Sequence, residues 1–182
     1  MKNPGVMTAR AGLIVALWAL RASAAEAPPE AVPQALAAPP DQVLRISARG
    51  VGVQIYECAA DKENPARYSW TLKAPEAELR DFAGKKLGKH YGGPTWEATD
   101  GSTVVGEVVA REPGPDIAAI PWLLLRAKSN SGDGAFSAIQ SVQRLHTAGG
   151  KAPDSGCDQT RSGKETRVPY TADYYFYTAA RR

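Results

Sequence analysis

The stretch from His90 to Ser102 concentrates the side chains that could do chemistry. Within thirteen residues it holds a histidine, a tryptophan, two carboxylates and a serine around a Gly-Gly-Pro turn. A strand-turn-strand arrangement could bring His90 close to Glu97 or Asp100, as a general base and its orienting carboxylate. Ser102 would then supply a nucleophile. The spacing therefore allows a hydrolase, but it lacks the Gly-x-Ser-x-Gly elbow, and a turn explains Asp-Gly-Ser equally well.

The same stretch also has the composition of a ligand-binding surface. Trp96 lies between a rigid turn and a carboxylate, and proteins hold sugars and other small polar ligands with an aromatic face beside hydrogen-bonding acids. We therefore predict a non-catalytic domain that binds a small polar or carbohydrate ligand of the cell envelope through the hairpin at 90–102. The predicted contact residues are His90, Tyr91, Trp96, Glu97 and Asp100. Core packing remains the alternative for Trp96, and a structural hydrogen bond remains the alternative for His90.

Other candidate residues indicate structure rather than chemistry. The chain has two histidines, His90 and His146, without the paired spacing that catalytic zinc usually uses, so we expect neither a metal nor a cofactor. The role of His146 stays open. Arg144 and Asp173 could form a bidentate ion pair that pins the last strand, an interpretation that we favour over a substrate clamp.

The N-terminus has the pattern of an export signal. Lys2 and Arg10 precede an apolar run of ten residues, and Ala-Ser-Ala at 22–24 fits a cleavage site. Ten apolar residues are too few to span a bilayer, which needs about 20. We predict a signal peptide at 1–24, a Pro/Ala-rich mobile lead-in at 25–40 and a single β-rich domain at 41–182. The mature protein would be periplasmic or extracellular, with no integral membrane segment.

Charge and cysteine content agree with export. The chain has 22 basic and 19 acidic residues, and loss of the first 24 residues leaves 19 of each. A neutral domain lacks the electrostatic footprint of nucleic-acid binding. Cys58 and Cys157 are the only cysteines, and in an exported protein they most simply form one disulfide. Such a crosslink contributes about 4–5 kcal/mol in the chain-entropy model. Two buried thiols are the alternative, and the oligomeric state stays open.

Alternating apolar and polar residues predict a fold built of strands. Extended segments are predicted at 50–58, 67–73, 85–91, 95–99, 102–111, 118–127, 136–147 and 167–178. The second of these should point Tyr68, Trp70 and Leu72 inward, which assigns Trp70 to the core. Together the segments predict an antiparallel β-sandwich or closed β-barrel with at most one or two short helices.

Three segments carry more specific predictions. Pro75 and the spacing of Leu79 and Phe82 favour a short helix or a decorated loop at 75–84. Four consecutive large apolar residues at 122–125 indicate a strand buried on both faces, with Pro121 at its start. The stretch at 136–147 fits a helix or a strand, and its β-branched content favours a strand.

Several motifs resemble a family of small exported proteins from bacteria and fungi, catalogued as a domain of unknown function. They lie at 50–58, 90–97, 100–102, 120–125, 143–153, 156–157 and 168–177. The resemblance covers roughly 41–178 and implies a fold and a location but no established activity. In that family asparagine is common at the position of His146. Some relatives carry a dehydrogenase label, but this chain lacks Gly-x-Gly-x-x-Gly between a strand and a helix. A third hypothesis is an envelope or stress protein that acts through partner contacts.

Overall fold

The alternating segments pair in sequence order and close on themselves. The computed structural model describes residues 32–180, which form a closed antiparallel barrel. The strands are β1 (Gln42–Ala60), β2 (Tyr68–Arg80), β3 (Lys86–Tyr91), β4 (Thr95–Ala98), β5 (Thr103–Glu112), β6 (Trp122–Ser131), β7 (Ser141–Gly149) and β8 (Glu165–Ala179). Each pairs with the next, and β8 pairs with β1. Two single-turn 3-10 helices, Gln34–Leu36 and Gln159–Arg161, complete the described elements, so the predicted β class is confirmed.

The helix or loop predicted at 75–84 is wrong. Strand β2 continues to Arg80 because Ala77 and Leu79 alternate into the core, where both are buried. The turn that follows is fixed by Asp81, whose carboxylate accepts from the backbone N–H groups of residues 83 and 85. The strand predicted at 136–147 begins only at Ser141. The Leu79–Phe82 spacing therefore marked the end of a strand and a turn, not a helical face.

The interior of the barrel is packed with large side chains. Trp96, Phe136, Tyr174 and Phe176 are each no more than 1% exposed and belong to one apolar cluster. Close packing of this kind needs a small residue opposite a large one. Gly50 provides it, since a Cβ there would lie 2.6 Å from Cε2 of Tyr174.

A second apolar cluster lies on the outer wall of β6, β7 and β8, and we call it the outer cluster. Its buried members are Leu36, Trp122, Leu145, Tyr175 and Tyr177. Leu36 is 0% exposed, and its carbonyl accepts a 2.6 Å hydrogen bond from Nε2 of Gln143. The described part of the predicted mobile lead-in therefore packs on the barrel. The outer cluster also explains why β6 is apolar on both faces, as the sequence predicts.

The two cysteines form the predicted disulfide. Cys58 at the end of β1 is bonded to Cys157, which lies in the long connection between β7 and β8. Backbone hydrogen bonds beside the crosslink join Cys58 to Lys164 and Gly163. The crosslink therefore holds this connection against the first strand.

The predicted signal peptide lies outside the described residues. Within residues 32–180, no helix combines the length and the apolar character needed to cross a membrane.

Candidate functional site

The wall of the barrel is incomplete at one end, because the β3–β4 hairpin is short. Strand β2 pairs with β3 only through Ala77–Arg80, and β5 pairs with β4 only through Thr103–Val105. The last bond on this side joins the N–H of Gly106 to the carbonyl of Pro94. The first half of β2 and the second half of β5 therefore face each other across a gap, which we call the notch.

The notch corrects the predicted positions of two β2 side chains. Leu72 and Trp70 pair with Tyr56 and Cys58, which are buried, so they lie on the inner side of the strand as predicted. Leu72 is nevertheless 53% exposed, and Trp70 is only partly buried, with Nε1 donating to the carbonyl of Ser155. Trp70 is therefore not a core residue, because no neighbouring strand covers this part of β2.

The notch leads into a cavity of about 250 Å³ inside the barrel. Its apolar rim includes residues from both sides of the gap and from the β3–β4 turn, namely Leu72, Pro75, Pro94 and Val108. Its polar and aromatic wall is formed by Gln54, His90, Trp96, Arg111, Arg144 and Tyr174. Six strands contribute these groups, so only the closed barrel brings them together.

His90 and Trp96 form the aromatic side of the cavity. The two rings are stacked with centroids 4.5 Å apart and planes 8° apart. Nδ1 of His90 lies 2.8 Å from the carbonyl oxygen of Thr95, which can only accept, so Nδ1 carries the proton and Nε2 is the acceptor. Burial lowers the pKa of His90 to about 3, and the charge of Arg144 acts in the same direction. The imidazole is therefore neutral at physiological pH.

Arg144 points into the cavity and does not pair with Asp173, so the predicted ion pair is wrong. Its Nε and Nη2 donate to the carbonyl of Pro121 at 3.2 and 2.8 Å. Arg144 is opposite Tyr174 in the β7–β8 register, and residue 173 is one position further along. Successive strand residues face opposite sides of a sheet, so the acid lies on the outer wall. There Asp173 pairs with Arg49 at 2.9 Å.

The charge of Arg144 has no carboxylate partner within residues 32–180. The residues that line the cavity include no aspartate and no glutamate. Burial lowers the pKa of Arg144, and the nearby charge of Arg111 lowers it further. An uncompensated charge is costly to bury. Arg144 therefore places a positive charge at the cavity, and its described acceptors are the carbonyl of Pro121 and the hydroxyl of Tyr174.

Two buried donors at the cavity also lack acceptors. Nε2 of Gln54 and Nε1 of Trp96 have no hydrogen-bond partner, and each residue is 1% exposed. Leaving such a donor unpaired costs about 1–3 kcal/mol. Both residues line the cavity. The lining residues thus include a partly buried cation and two side chains that each carry an unsatisfied N–H donor.

The opposite face of the hairpin is occupied by surface contacts. The hydroxyl of Tyr91 donates to Glu97 at 2.9 Å, and Lys89 pairs with the same carboxylate at 3.1 Å. These residues alternate with His90 and Trp96 along the strands and so face away from the cavity. Of the five predicted ligand contacts, only His90 and Trp96 reach the cavity. Trp96 is buried, so it is not an exposed platform for a polymeric glycan.

Asp100 and Ser102 lie at the other end of the barrel and fix a turn. Asp100 accepts from the hydroxyl of Ser102 at 2.6 Å and from the N–H of Ala135 at 2.8 Å. The hydroxyl of Ser102 in turn accepts from the N–H of Phe136 at 3.0 Å. Ser102 is 0% exposed. The structure therefore does not assemble the hydrolase predicted from His90, Glu97, Asp100 and Ser102.

His146 belongs to the outer wall. Its Nδ1 lies 3.1 Å from Asp173, and its ring contacts the edge of Trp122. Its φ of 48° is in the left-handed region, where asparagine is one of the residues best tolerated. This backbone conformation gives a physical reason for asparagine at the position in the resembled family. Within the described chain, no group of three or more His, Cys, Asp or Glu could hold a metal.

Sequence reasoning missed Gln54 and Arg111 as cavity residues, and it assigned Arg144 to an ion pair in preference to a substrate contact. One signal was present, since Gln54 alternates in phase with Tyr56 and Cys58 on the buried side of β1. A polar side chain on a buried face indicates a specific partner or a site. The fold and the site together define a closed antiparallel barrel with a cationic, aromatic-lined cavity.

The chain belongs to the family described as "Protein of unknown function (DUF3455)", whose model matches residues 39–178. The predicted resemblance to a domain of unknown function is thereby confirmed. No curated protein and no solved structure matches the chain.

Proposed function

We propose that this protein is a non-catalytic binding protein that takes a small organic ligand into the cavity behind the notch. The observation that carries the proposal is the pair of buried, unpartnered donors on Gln54 and Trp96 beside the uncompensated guanidinium of Arg144. A folded chain rarely leaves several such groups unsatisfied around one cavity, so each calls for an explanation. A ligand that accepts these hydrogen bonds provides it.

Binding agrees with the chemistry of the cavity better than catalysis does. The histidine at the site has a pKa of about 3 and donates to a carbonyl, so it does not exchange protons readily at neutral pH. Arg144 is held by its two bonds to Pro121. Rigid donors and aromatic rings of this kind orient a ligand and exclude water.

The proposal includes export of the mature protein. The N-terminal pattern supports it, and so does the Cys58–Cys157 disulfide, because such crosslinks persist in oxidising compartments. We expect N-terminal sequencing of the protein recovered from periplasm or medium to begin at Ala25. Recovery only from the cytosol, with Met1 intact, would contradict this part of the proposal.

Binding can be tested by closing the notch. Leu72→Trp enlarges a half-exposed rim residue and should obstruct the cavity with little loss of stability, since Leu72 is 53% exposed. Val51→Trp is the matched control, because Val51 is 49% exposed and does not line the cavity. The experiment screens small organic compounds by thermal shift and titrates those that stabilise the wild type.

We expect the Leu72→Trp variant to bind these compounds at least tenfold more weakly, while the Val51→Trp variant binds like the wild type. Equal affinities for both variants would place the binding elsewhere. A screen in which no compound stabilises the wild type would count against a small-ligand function.

A further inference from the structure

We infer that the ligand is a carboxylate on a flat, apolar body about the size of one substituted ring, with the carboxylate bound at Arg144. This inference rests on the proposed function, because it names the chemical class that the same cavity would take. It is carried by the charge of the wall, by the geometry of the donors and by the size and lining of the space.

The charge of the cavity comes from two guanidinium groups. Arg111 is opposite Leu123 in the β5–β6 register, and Leu123 is opposite Arg144 in the β6–β7 register, so the two arginines flank one inward-facing leucine. Neither arginine has an ion-pair partner among the described residues. Two like charges side by side favour an anion between or beside them.

The third cation at the rim is already compensated. Lys73 lines the cavity, but its ammonium pairs with Glu57 at 3.0 Å and with Glu165 at 2.6 Å. These partners leave Arg111 and Arg144 as the available positive charges. The expected ligand therefore carries one negative charge or few, rather than the high charge of a polyphosphate.

The lining of the cavity fits a flat anion better than a tetrahedral one. Nε and Nη2 of Arg144 donate to the carbonyl of Pro121, so this pair of N–H groups is not free to bind a ligand. The other donors among the lining residues are the guanidinium of Arg111, the amide of Gln54 and the indole of Trp96. A carboxylate has two oxygens in one plane with about four acceptor positions. A carboxylate presents its oxygens to these donors at one end of an apolar body, whereas a phosphate or sulfate presents further oxygens toward aromatic and apolar walls.

The rest of the cavity is suited to an apolar ring. His90, Trp96 and Tyr174 form an aromatic wall, with the tyrosine at an edge-on angle to the other two rings. Leu72 and Val108 form part of the rim. An apolar protein cavity of about 150 Å³ holds benzene. A volume of about 250 Å³ therefore leaves room for one ring, its carboxylate and a short substituent.

The experiment compares acids with their neutral amides. Benzoate, phenylacetate and cinnamate, each paired with its amide, are titrated into the oxidised mature protein at pH 7 by calorimetry. Inorganic phosphate and sulfate are titrated as the tetrahedral probes. The amides keep the ring and the shape but lose the charge, so the ratio of the two affinities reports on the cation.

The variants separate the cavity arginine from a surface one. Arg144→Met removes the buried charge at similar length. Arg126→Met is the matched control, because Arg126 has a 67% exposed side chain on the barrel wall and pairs with Glu107 at 2.8 Å. Arg144→Lys is a second variant that keeps the charge but loses the planar geometry.

We expect at least one acid to bind tenfold or more tightly than its amide, a difference of about 1.4 kcal/mol, because only the acid makes a charge-assisted bond to the arginine. The preference should vanish in Arg144→Met, weaken in Arg144→Lys and persist in Arg126→Met. If Arg144→Met does not fold, the acid-to-amide ratio of the wild type and the lysine variant still decides the matter.

Three results would overturn the inference. Acids and amides that bind equally well, without dependence on Arg144, would leave the proposed binding function intact and remove the carboxylate. Binding of phosphate or sulfate in preference to the ring acids would replace the carboxylate with a tetrahedral anion. Failure of every probe would exclude ring acids, while the notch-closing variants still test the proposed function by themselves.

Discussion

Two buried glutamines show how differently the outer cluster and the cavity are built. Gln143, beneath the outer cluster, is 2% exposed and fully used, with Nε2 donating to the carbonyl of Leu36 and Oε1 accepting from Tyr177, both at 2.6 Å. Gln54, at the cavity, is 1% exposed, and its Nε2 has no partner. The chain thus completes one polar site with its own N-terminal segment and leaves the other incomplete.

This difference teaches where to look for function in a barrel. Burying a polar group is neutral for stability only when its hydrogen bonds are remade. The outer cluster also contains one unsatisfied donor, the indole N–H of Trp122. Its Nε1 lies against Gly114 and has no acceptor. Trp122 does not line the cavity and no buried cation accompanies it. The coincidence of several unsatisfied groups, rather than one alone, distinguishes a site from a local packing fault.

The largest expected effect concerns the N-terminal segment over the outer cluster. Leu36→Ala should lower the free energy of unfolding by about 2–5 kcal/mol, as for other fully buried leucines, because Leu36 is 0% exposed. Leu72→Ala, at the half-exposed rim of the cavity, should cost less than about 1 kcal/mol. Urea unfolding of the oxidised protein measures both. Similar small losses would show that the segment is not an integral part of the fold.

Substitution of His90, but not of His146, should change how the stability of the fold depends on acid pH. The pKa of His90 is about 3 in the folded chain and near 6.5 when unfolded, so the unfolded state binds more protons between these values. His90 is therefore expected to reduce stability progressively as the pH falls below 6.5, by about 3 kcal/mol at pH 4. His90→Phe should flatten this dependence, whereas His146→Asn retains His90 and thus its contribution.

The readout is the slope of unfolding free energy against pH from 7 to 4, measured for the wild type and both variants. The slope is informative even if either substitution shifts the overall stability. An unchanged slope in the His90→Phe variant would mean that His90 is not the buried neutral group described for the cavity.

The smallest expected effects come from the two glutamines and have opposite signs. Gln143→Met should lower the free energy of unfolding by about 2 kcal/mol, because it leaves the carbonyl of Leu36 and the hydroxyl of Tyr177 without their hydrogen-bond partner. Gln54→Met should leave stability unchanged or raise it by about 1 kcal/mol, since it removes an unpaired amide at nearly constant volume. Thermal and urea unfolding of ligand-free protein give both values. A loss at Gln54 as large as that at Gln143 would mean that Gln54 makes hydrogen bonds within the fold.

Local patterns were enough to predict strands, the turn at 100–101 and the disulfide. They failed where the outcome depends on which strands become neighbours. The inward phase of Leu72 was readable from alternation, but its exposure follows from the shortness of the β3–β4 hairpin, which comes later in the chain. Likewise, alternation places Arg144 and Asp173 on opposite faces once β7 and β8 are aligned, and that register is not visible in either segment alone.

The candidate site was only half predictable for the same reason. His90 and Trp96 stood out because an unusual stretch gathers them locally. Gln54 and Arg144 join them only through barrel closure, which brings β1 and β7 to the same cavity as β3 and β4. A polar residue in phase with buried neighbours, as at Gln54, is the feature that single-sequence reasoning can use to find such a site.

The most direct test follows the indole N–H of Trp96 by ¹H–¹⁵N NMR as the cavity is filled. The mature chain would have three indoles, from Trp70, Trp96 and Trp122, and single Trp→Phe variants assign them. The compound that stabilises the protein most in the thermal screen is added to saturation. We expect the Trp96 signal to move further than the other two, toward the position of a hydrogen-bonded N–H. A Trp96 signal that stays in place while the compound binds would contradict the account.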